Sequence, residues 1–105
     1  MMARFDVYAN PEATERKHTP YFLDVQNPYI EHLASRVMVP LRREAAFGPR
    51  PHKLNPLLAF GADAVVLDTA ALGAVPLSEL RAPVGHLRDA RAEILQALDT
   101  LFGAY

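Results

Sequence analysis

Polar and apolar residues alternate over residues 4–9, with Phe5 and Val7 set against Arg4 and Asp6; a period of two predicts a strand with one buried face. Asn10-Pro11 breaks the pattern, and the polar run that follows (Glu12, Thr14, Glu15, Arg16, Lys17, His18) predicts a mobile loop over residues 10–19. Residues 21–26 are aromatic and β-branched. As a strand they place Tyr21, Leu23 and Val25 on one face and Phe22, Asp24 and Gln26 on the other, so Phe22 needs cover from elsewhere. Asn27-Pro28 ends it. Residues 36–41 predict the next strand, stopping near Pro40 because proline offers no ladder donor. Gly48, Pro49, Pro51 and Pro56 forbid a regular helix over residues 43–56 and predict a long excursion.

Three short strands are expected next, at 57–60, 64–68 and 73–77, the first two joined by the turn formers Gly61-Ala62-Asp63, in a meander-like order. Pro76 requires a strand edge or a bulge. After Pro83 the period changes. Leu87, Ala90, Ile94, Leu98 and Leu101 recur at spacings of three and four, an apolar helical stripe with Arg88, Asp89 and Glu93 pointing away from it. The pattern predicts a helix of about five turns, with Pro83 near its start and Gly103 past its end. Leu95 and Phe102 fall off the stripe, as boundary residues or as cover for a partner subunit. A mainly antiparallel sheet under one terminal helix is an α+β arrangement.

The length of 105 residues sets a single domain, residues 1–105, and a 50% hydrophobic, 22% charged composition is that of a folded globular protein. Cysteine is absent, which removes disulfide and thiolate chemistry. The N-terminus lacks the layout of a secretory signal and no apolar run is long enough to span a bilayer, so a cytoplasmic protein with no membrane partner is expected. A net charge of −1 argues against binding nucleic acid unaided. Locally the balance differs: residues 42–53 hold Arg42, Arg43, Arg50 and Lys53 against Glu44 alone. Such a loop suits an acidic peptide, and reads equally as a solvated basic surface.

Chemistry of its own is not signalled. His18, His32, His52 and His86 form no ligand pattern, and no nucleophile elbow, phosphate loop or dinucleotide fingerprint occurs, so no enzyme activity, metal or cofactor is expected.

The run Pro20-Tyr21-Phe22-Leu23-Asp24-Val25-Gln26, then Arg36-Val37-Met38-Val39-Pro40-Leu41 and Ala74-Val75-Pro76-Leu77, resembles the CcdB family, toxins of bacterial toxin–antitoxin pairs that poison DNA gyrase. The likeness runs from Met2 to Tyr105. It implies an antiparallel sheet with a small SH3-like barrel core and one C-terminal helix, a two-fold homodimer, the gyrase A subunit as target and a CcdA-like antitoxin as neutralising partner. Carried over residue by residue, the gyrase-binding positions are Tyr29 and Ile30 in the loop after the second strand, with Asp99, Phe102, Gly103, Ala104 and Tyr105 at the end of the helix. Tyr29 and Ile30 read equally as loop anchors against the core.

The tail departs from the family. The plasmid toxin ends Phe-Trp-Gly-Ile, and the gapless register sets Gly103 on the tryptophan; a slide of one residue sets Phe102 there and Gly103 on the glycine. Asp99 stands where the family has an amide, a carboxylate that repels an acidic surface or attracts an arginine. The antitoxin is expected at residues 10–19 and at Arg42, Arg43, Arg50 and Lys53. Two other readings follow from the same fold. One is an antitoxin-binding co-repressor of its own operon that no longer poisons gyrase. The other is a MazF-like endoribonuclease with Arg36 and Thr69 as its arginine and hydroxyl, which the residues themselves read as a strand-start cation and a turn hydroxyl.

Overall fold

A computed structural model describes residues 3–27 and 33–103 of the chain. Its strands are β1 (Asp6–Ala9), β2 (Tyr21–Asp24), β3 (Ser35–Arg43), β4 (Leu57–Phe60), β5 (Asp63–Leu67), β6 (Gly73–Pro76) and β7 (Gly85–His86); its helices are α1 (Glu44–Phe47) and α2 (Arg91–Phe102). All pairings are antiparallel, in the order β4-β5-β3-β2-β1-β7, with β6 also on β3. The order is therefore only partly a meander. β3 is the spine: β2 lies along one edge, while the other carries β6 on its first half and β5 on its second.

The length of β3 corrects the expectation that it stops near Pro40. It runs nine residues, through Pro40 and on to Arg43. Val25 N–H bonds the Val37 carbonyl, so odd-numbered residues of β3 make the rungs to β2, and Pro40 faces Phe22 at a rung that uses no hydrogen bond. On the other edge Asp68 N–H bonds the Pro40 carbonyl just past the end of β5, where one missing donor costs a single terminal bond. Pro76 meets the edge requirement: β6 pairs with β3 alone, and the Leu77 N–H to Ala34 bond sets Pro76 at a rung whose absent N–H would face outward.

The first strand starts at Asp6 rather than Arg4, because Phe5 takes φ 71° and its N–H bonds the Asp24 carbonyl (2.7 Å), while the Asp6 N–H turns back to the Ala3 carbonyl (3.1 Å). Over residues 10–19 a bonded turn replaces the expected open loop. Ala13–Glu15 forms one 3-10 turn, the buried Asn10 side chain donates to the Thr19 carbonyl (2.9 Å) and accepts from Glu12 N–H (2.9 Å), and Arg16 Nε donates to the Asn10 carbonyl (2.6 Å). The excursion after β3 contains the single helical turn α1, ended by Gly48 at φ 81°.

The terminal helix is shorter than its periodicity suggests. Val84 N–H and Leu87 N–H bond the carbonyls of Val7 and Phe5 (both 2.8 Å), which holds β7 against β1; a 3-10 turn over Arg88–Ala90 follows, and α2 has twelve residues, about three turns. Gly103 closes it in the left-handed conformation (φ 69°), its N–H bonded to the Asp99 carbonyl at 2.8 Å.

Leu87, Ile94 and Ala97 lie on the core formed by Val7, Leu23, Val25, Val39, Leu41, Leu58, Val65 and Leu67, so the stripe and the one-faced set Tyr21, Leu23, Val25 meet as expected. Leu95 packs against this core too, which makes it a boundary residue rather than free cover for a partner. The opposite face of β1, β2 and β3 is also shielded, and it is polar: Asp6, Tyr8, Asp24, Gln26 and Arg36 are all buried there, beside Met38.

The sheet curls until its two ends meet. The ring of Phe60, the last residue of β4, lies over Gly85 of β7 so closely that a Cβ there would come within 2.7 Å of it. Phe60 also meets Tyr21 edge-on, with ring centroids 4.9 Å apart. A side chain, not a ladder, thus closes the barrel at this place.

Candidate partner-binding surfaces

α2 buries Ile94 and Ala97 on one side and ends with Phe102 69% exposed on the other. Phe102 is the most exposed of the large apolar residues described, and Asp99, three residues earlier and also exposed, is its neighbour on the helix surface. Gly103 fixes where the chain leaves the helix. Among the expected gyrase-contacting residues the structure therefore brings together Asp99, Phe102 and Gly103; Tyr29, Ile30, Ala104 and Tyr105 lie outside the described residues.

The basic loop is less free than its sequence implies. Arg42 pairs with Asp68 at 2.6 Å and donates to Thr19 Oγ1 at 2.7 Å; Arg43 pairs with Asp63 at 2.8 Å. Arg50 Nε donates to the Asn55 carbonyl at 3.0 Å, and Lys53 is exposed. Two of the four cations are thus neutralised by aspartates from either end of β5, which no local spacing in the sequence could reveal. Hydrogen bonds from Arg43 and from the Tyr21 hydroxyl (2.8 Å) hold the Asp63 carboxyl below its usual range, while burial, and then the bond to Asp63, push the Tyr21 phenol up. The Arg42–Thr19 bond also ties the excursion to the end of the 10–19 segment, so the two expected antitoxin loops adjoin.

Sequence reasoning missed the polar cluster on the second face. Asp24 Oδ1 accepts from Gln26 N–H (2.9 Å), Oδ2 accepts from Arg36 Nε (2.9 Å), and Gln26 Oε1 accepts from Val37 N–H (3.0 Å). Burial raises the Asp24 carboxyl even against these contacts. Tyr8, whose hydroxyl has no hydrogen-bond partner among the described residues, is pushed up to about 12 by burial and by the nearby charges of Asp6 and Asp24. The only sequence signal was the placement of Asp24 and Gln26 on one face with Phe22. Arg36 and Thr69, the two residues an endoribonuclease reading would need, are buried and occupied: Arg36 by Asp24, and the Thr69 hydroxyl by the carbonyls of Leu54 and Leu67. Among the described residues no His, Cys, Asp and Glu side chains group as a metal site, and no helix is long and apolar enough to cross a membrane.

A curled antiparallel sheet packed on one C-terminal helix is an α+β architecture, and its helix ends with Asp99 and Phe102 exposed. A family model described as CcdB protein matches residues 4–103 of the 105, and the chain belongs to the CcdB family. Membership places it among the toxins of toxin–antitoxin systems. No curated protein matches the sequence.

Proposed function

We propose that this toxin poisons DNA gyrase by binding the A subunit through the last turn of α2, and that a CcdA-like antitoxin neutralises it. The observation that carries the reading is Phe102: a large aromatic residue, 69% exposed, on a helix whose other side is locked into the core. Water gains nothing from such a side chain, whereas a partner pocket gains a large rigid contact at low entropic cost. Asp99 beside it favours a partner surface that offers an arginine or lysine. The protein acts as a two-fold homodimer, in keeping with its family and with the exposed apolar residues Leu33 and Leu77. The antitoxin covers the adjoining residues 10–19 and 42–53, where Arg50 and Lys53 remain for an acidic peptide that folds on contact.

Induced expression in cells with normal gyrase and in cells with CcdB-resistant gyrase tests the reading. Growth arrest in the first and rescue in the second is expected. Arrest in both would point to another target, and arrest in neither to the co-repressor reading, for which the departure at Gly103 supplies the physical reason.

A further inference from the structure

We propose that the open side of the barrel, between β4 and β7, docks an extended basic peptide segment of a partner protein. A groove of about 450 Å³ runs there, with Ala59, Phe60, Leu87 and Ala90 along its floor and Asp89 and Glu93 on its rim. It lies where the sheet fails to close. Leu67 N–H bonds the Pro56 carbonyl, which makes the even-numbered residues of β4 the bonded ones, so the N–H and C=O of Leu57 and Ala59 point away from β5, with Ala59 lining the opening. On β7 the Leu87 N–H bonds Phe5, and His86, one residue back, turns its own N–H and C=O outward from the other side. Phe60, seated over Gly85, keeps the two edges apart and gives the groove an aromatic floor.

Unpaired strand edges are usually blunted by proline, by lysine or by cover, as Pro76 blunts β6; β4 and β7 contain neither proline nor lysine. The opening beside them is lined instead by negative charge. Asp89 and Glu93 are exposed, and neither is ion-paired among the described residues. The dipole of α2 accounts for acids near its start, but not for both facing an apolar floor between two open edges. Backbone donors and acceptors, an aromatic floor and unneutralised carboxylates together fit a strand-like segment that alternates apolar and cationic side chains. The site is independent of the helix tail, since the twelve residues of α2 set its two ends about 18 Å apart. A partner held here leaves Phe102 free to act.

The test is amide NMR of the labelled full chain, titrated with the probe acetyl-Lys-Val-Lys-Val-Lys-amide and with its glutamate counterpart. Saturable shifts at Ala59, Gly61, His86 and Glu93 are expected with the basic probe only. The neutral variant Asp89→Asn with Glu93→Gln should weaken it roughly three- to tenfold, the range for two exposed charges, while Phe102→Ala leaves it unchanged. Absence of saturable shifts at these amides, an equal response to the acidic probe, or unchanged affinity in the neutral variant would each overturn the proposal. Because the two probes are compared on the unaltered protein, the result stands even if the variant folds poorly.

Discussion

Arg36 Nε donates to Asp24 Oδ2 at 2.9 Å across β3 and β2, with side chains 4% and 0% exposed. An ion pair so thoroughly removed from water gains little over a well-packed apolar pair, because each charge gives up its hydration. Its importance shows when one member is lost. Arg36→Ala should cost about 3–5 kcal/mol, since Asp24 would remain buried without its counter-charge. The double change with Asp24→Ala should cost clearly less than the sum of the two single changes, a coupling that urea denaturation of the four proteins measures directly.

Tyr8 gives the opposite expectation. Its hydroxyl is buried without a partner among the described residues, so Tyr8→Phe should be neutral or stabilising by up to about 1 kcal/mol in thermal unfolding. The phenol is pushed up from 10.0 to about 12 in the fold, so the neutral form is favoured there. This contribution is fully present below the unfolded value and lost as pH rises through the folded one. Tyr8→Phe should therefore flatten the alkaline fall in stability; phenolate absorbance followed against pH would detect the missing late transition.

Asp63 titrates in the other direction. With its carboxyl held low by Arg43 and Tyr21, the stability it adds is present above the unfolded carboxylate value and disappears as pH falls through the folded one. Arg43→Gln should move the Asp63 titration, read by carboxyl NMR, back towards the ordinary range, and reduce the extra stability between those two values.

That pairing also decides how the antitoxin reading is tested. Reversing Arg42 or Arg43 would break bonds to Asp68 and Asp63 as well as any contact with a peptide. Lys53 makes no such bond among the described residues. Lys53→Glu should slow association with an acidic antitoxin peptide at low salt, with the difference shrinking as salt is raised. Stopped-flow association at two salt concentrations checks it; equal rates at low salt would remove Lys53 from the interface.

Residues whose environment is set by near neighbours were legible in the sequence. The Leu23 and Val25 face, the Ile94 and Leu98 stripe, the Gly103 stop and the edge position of Pro76 all follow from period or from a single backbone constraint. What failed needed a partner distant in the chain. Pro40 reads as a strand end until β2 and β5 are both in place, and only then is its missing N–H seen to be harmless. The segment after Pro83 reads as helix until Val7 and Phe5 draw Gly85-His86 into the sheet. Arg42 and Arg43 read as free cations because Asp68 and Asp63 reach them only through the pairing of β3 with β5. At the tail, exposure of Phe102 was legible from its place off the stripe, while its partner depends on a second molecule.

Affinity of the purified protein for the gyrase A subunit, compared with that of Phe102→Ala by calorimetric titration, tests the central claim most directly. Phe102 is largely exposed, so the change should leave thermal unfolding and oligomeric state as they were. Loss of an aromatic anchor costs about 2 kcal/mol or more, and the account predicts binding weakened roughly thirtyfold or beyond. Equal affinity of the two proteins for the subunit would contradict it.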